Sequence, residues 1–173
     1  MQLTDNHFEL FGLKPAFALD RAQLDAAYRA VQAQVHPDRF AAADDAQRRR
    51  AMQWAAQANE AYRTLREPVA RAAYLCGLHG VALEAESNTA MPAEFLVQQL
   101  EWREALDDAD GNAAALSALA DEVATLRRQR IADLGDCLDV ERDFARAAGL
   151  VRQLLFVDRF SESVDDAIAR ADA

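Results

Sequence analysis

Apolar residues recur along most of the chain at helical spacing, and the polar residues between them mark where each helix starts and stops. "NHFELFGL" (residues 6–13) predicts a short first helix. Asn6 is placed to cap it, Glu9 falls three residues on as in a capping box, and Gly12 suits its end. Asp20, with Gln23 in the matching position, opens a second helix in which Leu24, Tyr28, Val31 and Val35 form one stripe. Pro37 disfavours helical geometry at His36, so this helix has to end there. After "FAAADD" a third helix runs to about Leu65. It is expected to bury Met52, Ala55, Ala58 or Asn59, Tyr62 and Leu65 on one face. The second and third helices have similar lengths, which predicts an antiparallel hairpin with "HPD" in the loop at its tip. Pro68 starts a short fourth helix, "PVARAAYLCGL", completing a four-helix unit.

Residues 77–91, "GLHGVALEAESNTAM", lose the helical period and mark a boundary. Pro92 then opens a helix to about Asp108, "DGN" breaks it, and a second begins near Asn112, with Leu116, Leu119, Val123, Leu126, Arg130 and Leu134 along one line. A third, roughly Val140 to Phe160, is expected to bury Val140, Phe144, Ala147, Val151 and Leu154, with a short capped tail starting at Ser161 or Ser163. The expected division is 1–76, a linker at 77–91, and a three-helix bundle over 92–173. The first bundle helix carries two apolar faces. Phe95, Trp102 and Leu106 cluster within about 40° on a helical wheel, as a core stripe does. Leu96, Val97 and Leu100 point elsewhere, together with Glu101, Glu104 and Asp108. Either this second set packs against the third bundle helix, or it forms an exposed apolar strip edged by carboxylates, fit to hold a partner with apolar and basic features. Phe156 lies about 140° from Val151 on its own helix, off the buried line.

Composition supports an all-α fold. The 173 residues are 51% hydrophobic, enough for a buried core, and six glycines and four prolines interrupt them only rarely. Charge divides the chain. Residues 1–75 hold ten Lys+Arg against nine Asp+Glu, or +1, and residues 76–173 hold nine against twenty, or −11, which together give the net −10. The acidic second half repels nucleic acid and anionic membranes, so neither is an expected partner. Cys76 and Cys137 form no CxxC and no disulfide framework, there is no basic-then-apolar leader, and no stretch approaches a membrane span. A soluble, cytoplasmic protein is expected, with no metal and no cofactor.

"HPD" itself has several readings. A histidine and an aspartate two apart could be metal ligands, or a base with its orienting carboxylate, or simply part of a turn. His7 and His79 lie in unrelated elements, and no nucleophile or glycine-rich phosphate loop accompanies the tripeptide, so enzyme activity is not expected.

"FELFGL", "AYRAVQAQVHPDRF" and "AANEAYRTLREPVARAAYL", at this spacing, resemble a J domain, the module by which co-chaperones engage DnaK-type chaperone ATPases. The resemblance covers residues 1 to about 75. It implies that His36, Pro37 and Asp38 contact the ATPase and trigger ATP hydrolysis, Pro37 fixing the loop and Asp38 offering a carboxylate to an arginine of the partner. J domains usually carry a strongly basic second helix and a lysine after HPD. Here that helix has only Arg21 and Arg29, and position 39 is arginine, so the cationic face the family uses would rest on Arg21, Arg29 and Arg39, with Arg48 to Arg50 nearby.

"FLVQQLEWREALDD" and "VRQLLFVDRF", behind such a domain, resemble the HscB family, J-type co-chaperones of iron-sulfur cluster assembly. The resemblance implies an L-shaped all-α protein that delivers an IscU-type scaffold to an HscA-type chaperone and performs no bond chemistry itself. It places scaffold binding on Leu96, Val97, Leu100, Glu101, Glu104, Asp108 and Phe156, the face already separated from the core stripe. The competing readings are a J protein serving another client, a metal-dependent hydrolase using His36 and Asp38, and a helical adaptor without a chaperone link.

Overall fold

The computed structural model describes residues 6–35, 44–83, 91–109 and 111–171. Among them the regular structure is helical, with no strand: α1 (His7–Leu10), α2 (Arg21–Val35), α3 (Asp45–Arg66), α4 (Pro68–Leu78), α5 (Ala93–Ala109), α6 (Ala113–Gly135), a π-helical turn (Asp136–Glu141) and α7 (Phe144–Ala171). The chain separates into two compact units, Met1–Leu75 and Cys76–Ala173. None of the described helices is long and apolar enough to cross a membrane.

In the first unit the local signals act as expected. The Asn6 side chain accepts from the backbone N–H of Phe8 and Glu9, and Glu9 reaches back to the Asn6 N–H, which closes the capping box. Gly12 follows with φ +65°, the left-handed conformation glycine adopts without cost. Asp20 caps α2 by accepting from Ala22 N at 2.8 Å. The last described residue of α2 is Val35, directly before the histidine that precedes Pro37.

Helices α2 and α3 pair antiparallel, and the cross-links between them show the register. Tyr62 donates to Asp25 at 2.8 Å near one end, and Tyr28 and Gln32 donate to Asn59 Oδ1 at 2.8 and 2.6 Å further along. The Tyr28 and Tyr62 rings stack at 4.2 Å between these bonds. The bond to the Asp25 carboxylate also raises the Tyr62 pKa above its ordinary value, because losing the proton would set two negative oxygens against each other. Asn59 thus bridges polar groups at the surface while Ala58 enters the core.

The buried face of α3 is Ala51, Ala58, Ala61 and Leu65. Met52, expected on it, is 63% exposed. It stands about 100° round the helix from Ala51, and α2 approaches over the alanines. At the other end of the unit, His7 stacks on Tyr74 at 4.1 Å while its backbone N–H donates to the Tyr74 hydroxyl. Burial lowers the His7 pKa, with the charge of Glu60 opposing. Gly77 and Leu78, expected in the linker, continue α4.

The second unit is a three-helix bundle. Asn112 caps α6 by accepting from Ala114 N and Ala115 N, after Gly111 turns the chain at φ +78°. Its core gathers Phe95 and Trp102 of α5, Leu119 and Val123 of α6, and Val157, Phe160 and Val164 of α7. The last of these settles the expected tail: the buried line runs on past Phe160 to Val164, so α7 is continuous to Ala171, and Ser161 and Ser163 lie inside it. Ser163 satisfies its hydroxyl by donating to the Arg159 carbonyl one turn back.

The expected start of the third bundle helix also moves. Val140 belongs to the π-helical turn that prolongs α6, and it is 76% exposed. The turn is closed by Arg142 at φ +59°, with the N–H of Asp143 donating to the Cys137 carbonyl at 2.9 Å. Helix α7 begins afresh at Phe144, its first turn capped by Asp143, which accepts from Arg146 N. The break resets the register, so the period through Phe144 and Ala147 cannot be extended back to Val140. A left-handed arginine is strained, whereas glycine is not. Arg142→Gly is expected to stabilise the fold by about 1 kcal/mol, less what is lost to the freer unfolded chain, and urea unfolding measures the difference.

Candidate functional site

Two regions carry the residues singled out by sequence. In the first unit, Arg21 and Arg29 are both exposed on α2, on the order of 12 Å apart along its axis. Arg48, Arg49 and Arg50 are exposed on the first turns of α3, where Arg48 pairs with Asp45. His36, Pro37, Asp38 and Arg39 lie outside the described residues.

The second region is built on α5. Pro92 presets its first turn, its carbonyl accepting from Phe95 N and Leu96 N. Phe95, Gln99 and Trp102 then recur at helical spacing and are all buried, so they determine which way the helix faces. Trp102 is anchored twice: its ring stacks on Phe160 at 5.4 Å and its Nε1–H donates to Glu122 Oε1 at 2.7 Å. Gln98 donates to the same oxygen at 3.4 Å.

With that stripe turned inward, the remaining apolar residues of α5 face out. Val97 is 54% and Leu100 58% exposed, and Leu96 is half-buried. Glu101, Glu104 and Asp108 are exposed on the same helix. Of the two readings left open for this face, packing against the third bundle helix therefore does not hold for Val97 and Leu100. Phe156 is expected off the buried line of its own helix. It is half-buried on α7, meeting Phe95 edge-on at 5.8 Å and stacking on Phe160 at 6.0 Å. Its ring borders α5, against Phe95 and Arg103.

Three residues at this site are missed by sequence reasoning, two of which carry no signal within their own helix. Arg103, whose guanidinium lies 5.7 Å from the Phe156 ring centre, puts one positive charge at the edge of an otherwise acidic face. Glu122 accepts the hydrogen bond of the Trp102 indole N–H from a position twenty residues away. Gln99 lies about 40° from Phe95 on the wheel, next to Leu106 and on the edge of the buried stripe, so the helical period alone places it there.

The remaining chemistry is structural. Cys76 and Cys137 are fully buried, and burial pushes both thiols up in pKa; Cys76 lies 3.6 Å from the Phe144 carbonyl, and His79 stacks on the Phe144 ring. Thiols of this kind are poor nucleophiles and poor ligands. Among the described residues, no group of three or more His, Cys, Asp and Glu side chains is placed to hold a metal ion.

Known proteins share this architecture. Residues 91–165 match the family described as the HSCB C-terminal oligomerisation domain. The co-chaperone protein HscB homologs of Burkholderia thailandensis and Burkholderia cenocepacia are 57% and 55% identical over 174 residues, with 99% of each chain covered. The chaperone HscB from Vibrio cholerae superposes with a TM-score of 0.84 at 36% identity, covering 96% of this chain and 99% of that one. The human co-chaperone protein HscB superposes with a TM-score of 0.90 at 24% identity, covering 95% and 83%, and shares the fold. These likenesses define the class: the chain is a co-chaperone, which acts with a chaperone and not as an enzyme. It belongs to the HscB family.

The geometry divides α5 into a half that holds the fold and a half that does not. Trp102→Ala is expected to cost about 3–5 kcal/mol in urea unfolding. Val97→Ser and Leu100→Ser are expected to stay within about 0.5 kcal/mol of the native chain.

Proposed function

We propose that this protein binds an IscU-type iron-sulfur scaffold through the exposed face of α5 and presents it to an HscA-type, DnaK-related chaperone in the cytoplasm. The observation that carries the reading is the outward display of Val97 and Leu100 beside Glu101, Glu104 and Asp108. Neighbouring exposed apolar side chains rimmed by polar groups are the kind of surface that a partner covers, and the carboxylates suit a partner with basic groups around an apolar centre. Leu96 and Phe156, both half-buried, would extend the apolar centre, and Arg103 would add one contact for an acidic group.

On the same reading residues 1–76 are a J domain, 77–91 connect it onward, and 92–173 hold the client. His36, Pro37 and Asp38 form the contact that promotes ATP hydrolysis, and Arg21, Arg29 and Arg39 steer a negatively charged surface of the ATPase towards it. The exposure of Arg21 and Arg29 supports their part. Holding client and ATPase on one chain raises the concentration of each near the other, on the order of millimolar for short connections. The protein would therefore act on iron-sulfur protein maturation by positioning alone, without metal, cofactor or bond chemistry of its own.

The experiment is an affinity measurement. Leu96→Ala with Leu100→Ala is expected to weaken binding of an IscU-type scaffold by roughly tenfold or more, because central apolar anchors carry most of an interface's energy. Stimulation of the chaperone by this protein without scaffold should be unchanged. Unaltered scaffold affinity would overturn the assignment of the face, and a chain that stimulates the ATPase but binds no scaffold would point to a different client.

A further inference from the structure

The second unit also has a cavity of about 510 Å³, formed where the start of α5 meets α6 and α7. Its size lies within the range of ligand pockets. Phe95 and Leu150 supply apolar wall, and Gln153 is among the lining residues. Gln153 is only 6% exposed, and its carbonyl Oε1 is buried with no hydrogen-bond partner among the described residues. The Nε of Arg130, another lining residue, is likewise buried without one. Unmet polar groups of this kind cost stability unless something supplies their bonds.

The charges of the cavity say what that something is. Arg130 pairs with Asp133 at 3.0 Å and Arg146 with Glu141 at 2.6 Å, so both lining arginines are already neutralised, and Glu94 adds negative charge. A phosphate or free carboxylate would find no uncompensated cation. A neutral group offering both a donor and an acceptor fits, and the peptide unit is such a group. A primary amide matches it in either sense, since a half-turn of its last torsion exchanges oxygen for nitrogen.

Gly149 points the same way. It lies in the interior of α7, where glycine weakens a helix, yet a Cβ there would meet only the Arg152 Nη2 at an ordinary 3.8 Å. Packing does not require glycine at this position; its effect is to keep one wall of the cavity open. The opposite wall adjoins the client face, because Glu94 and Gln98 lie one helical turn or less from Val97 and Glu101 on α5.

We infer that the cavity is a second docking point for the same client, taking a short extended stretch of uncharged polypeptide whose backbone amide bonds to Gln153 while an apolar side chain rests against Phe95 and Leu150. The inference rests on the reading of the α5 face given above. It is tested by nuclear magnetic resonance on the full ¹⁵N-labelled chain, titrated with unlabelled IscU-type scaffold. The Gly149 backbone amide and the Gln153 side-chain amide should shift and saturate together with the amides of Val97 and Leu100.

Two variants complete the test. Gly149→Leu fills the cavity, and Gln153→Leu removes the buried amide. Each should keep or raise Tm while weakening scaffold binding by roughly tenfold, the effect of one or two lost hydrogen bonds. If scaffold moves Val97 and Leu100 but leaves Gly149 and Gln153 in place, or if Gly149→Leu binds as tightly as the native chain, the cavity is not a docking point and the reading of α5 stands. If none of the four signals moves, both fall.

Discussion

The burial of Trp102 decides how the second unit faces the world. Its ring packs on Phe160 and its N–H must find an acceptor once water is gone, which Glu122 provides at 2.7 Å. Those two requirements together allow α5 one rotation about its axis. Phe95 and Gln99 turn inward with Trp102, and Val97, Leu100, Glu101, Glu104 and Asp108 are left outside. An apolar strip is thus exposed because a different strip on the same helix is held too firmly to yield. The proposed client site follows from the core and not from any loop designed around it, which places it on a rigid element.

The neighbouring helices serve the same end. The unbroken α7 carries Phe156, Phe160 and Val164 beneath α5, so one helix both supports Trp102 and contributes an aromatic edge to the outer face. The π-helical turn before it removes Val140 from the bundle and buries Cys137 and Leu138 instead, at the expense of a left-handed Arg142. In the first unit, polar cross-links of Tyr28, Gln32 and Asn59 do for the hairpin what Trp102 does for α5: they fix which residues meet, and alanines then let the backbones approach.

What the sequence made legible was local. Caps at Asn6, Asp20 and Asn112 act within three residues, so spacing alone shows them. The two faces of α5 were separable because both recur with the helical period. Met52 and Val140 were misplaced for a different reason: each continues a plausible stripe, and what exposes it is where a partner helix lies or where a wide turn resets the register. The Trp102–Glu122 bond, Arg103 over Phe156, and the cavity at Gln153 join residues from two or three helices, and no period within one helix encodes them. His36, Pro37 and Asp38 are legible only through their motif and lie outside the described residues.

Coupling between client and chaperone is tested most directly by the ATP hydrolysis rate of an HscA-type chaperone in the presence of an IscU-type scaffold, measured with the native chain and with Asp38→Asn. The native chain should accelerate turnover, and the variant should bind scaffold equally well yet leave turnover at its basal rate. Equal acceleration by both, or by neither, would contradict a role for Asp38 and its HPD motif as the trigger.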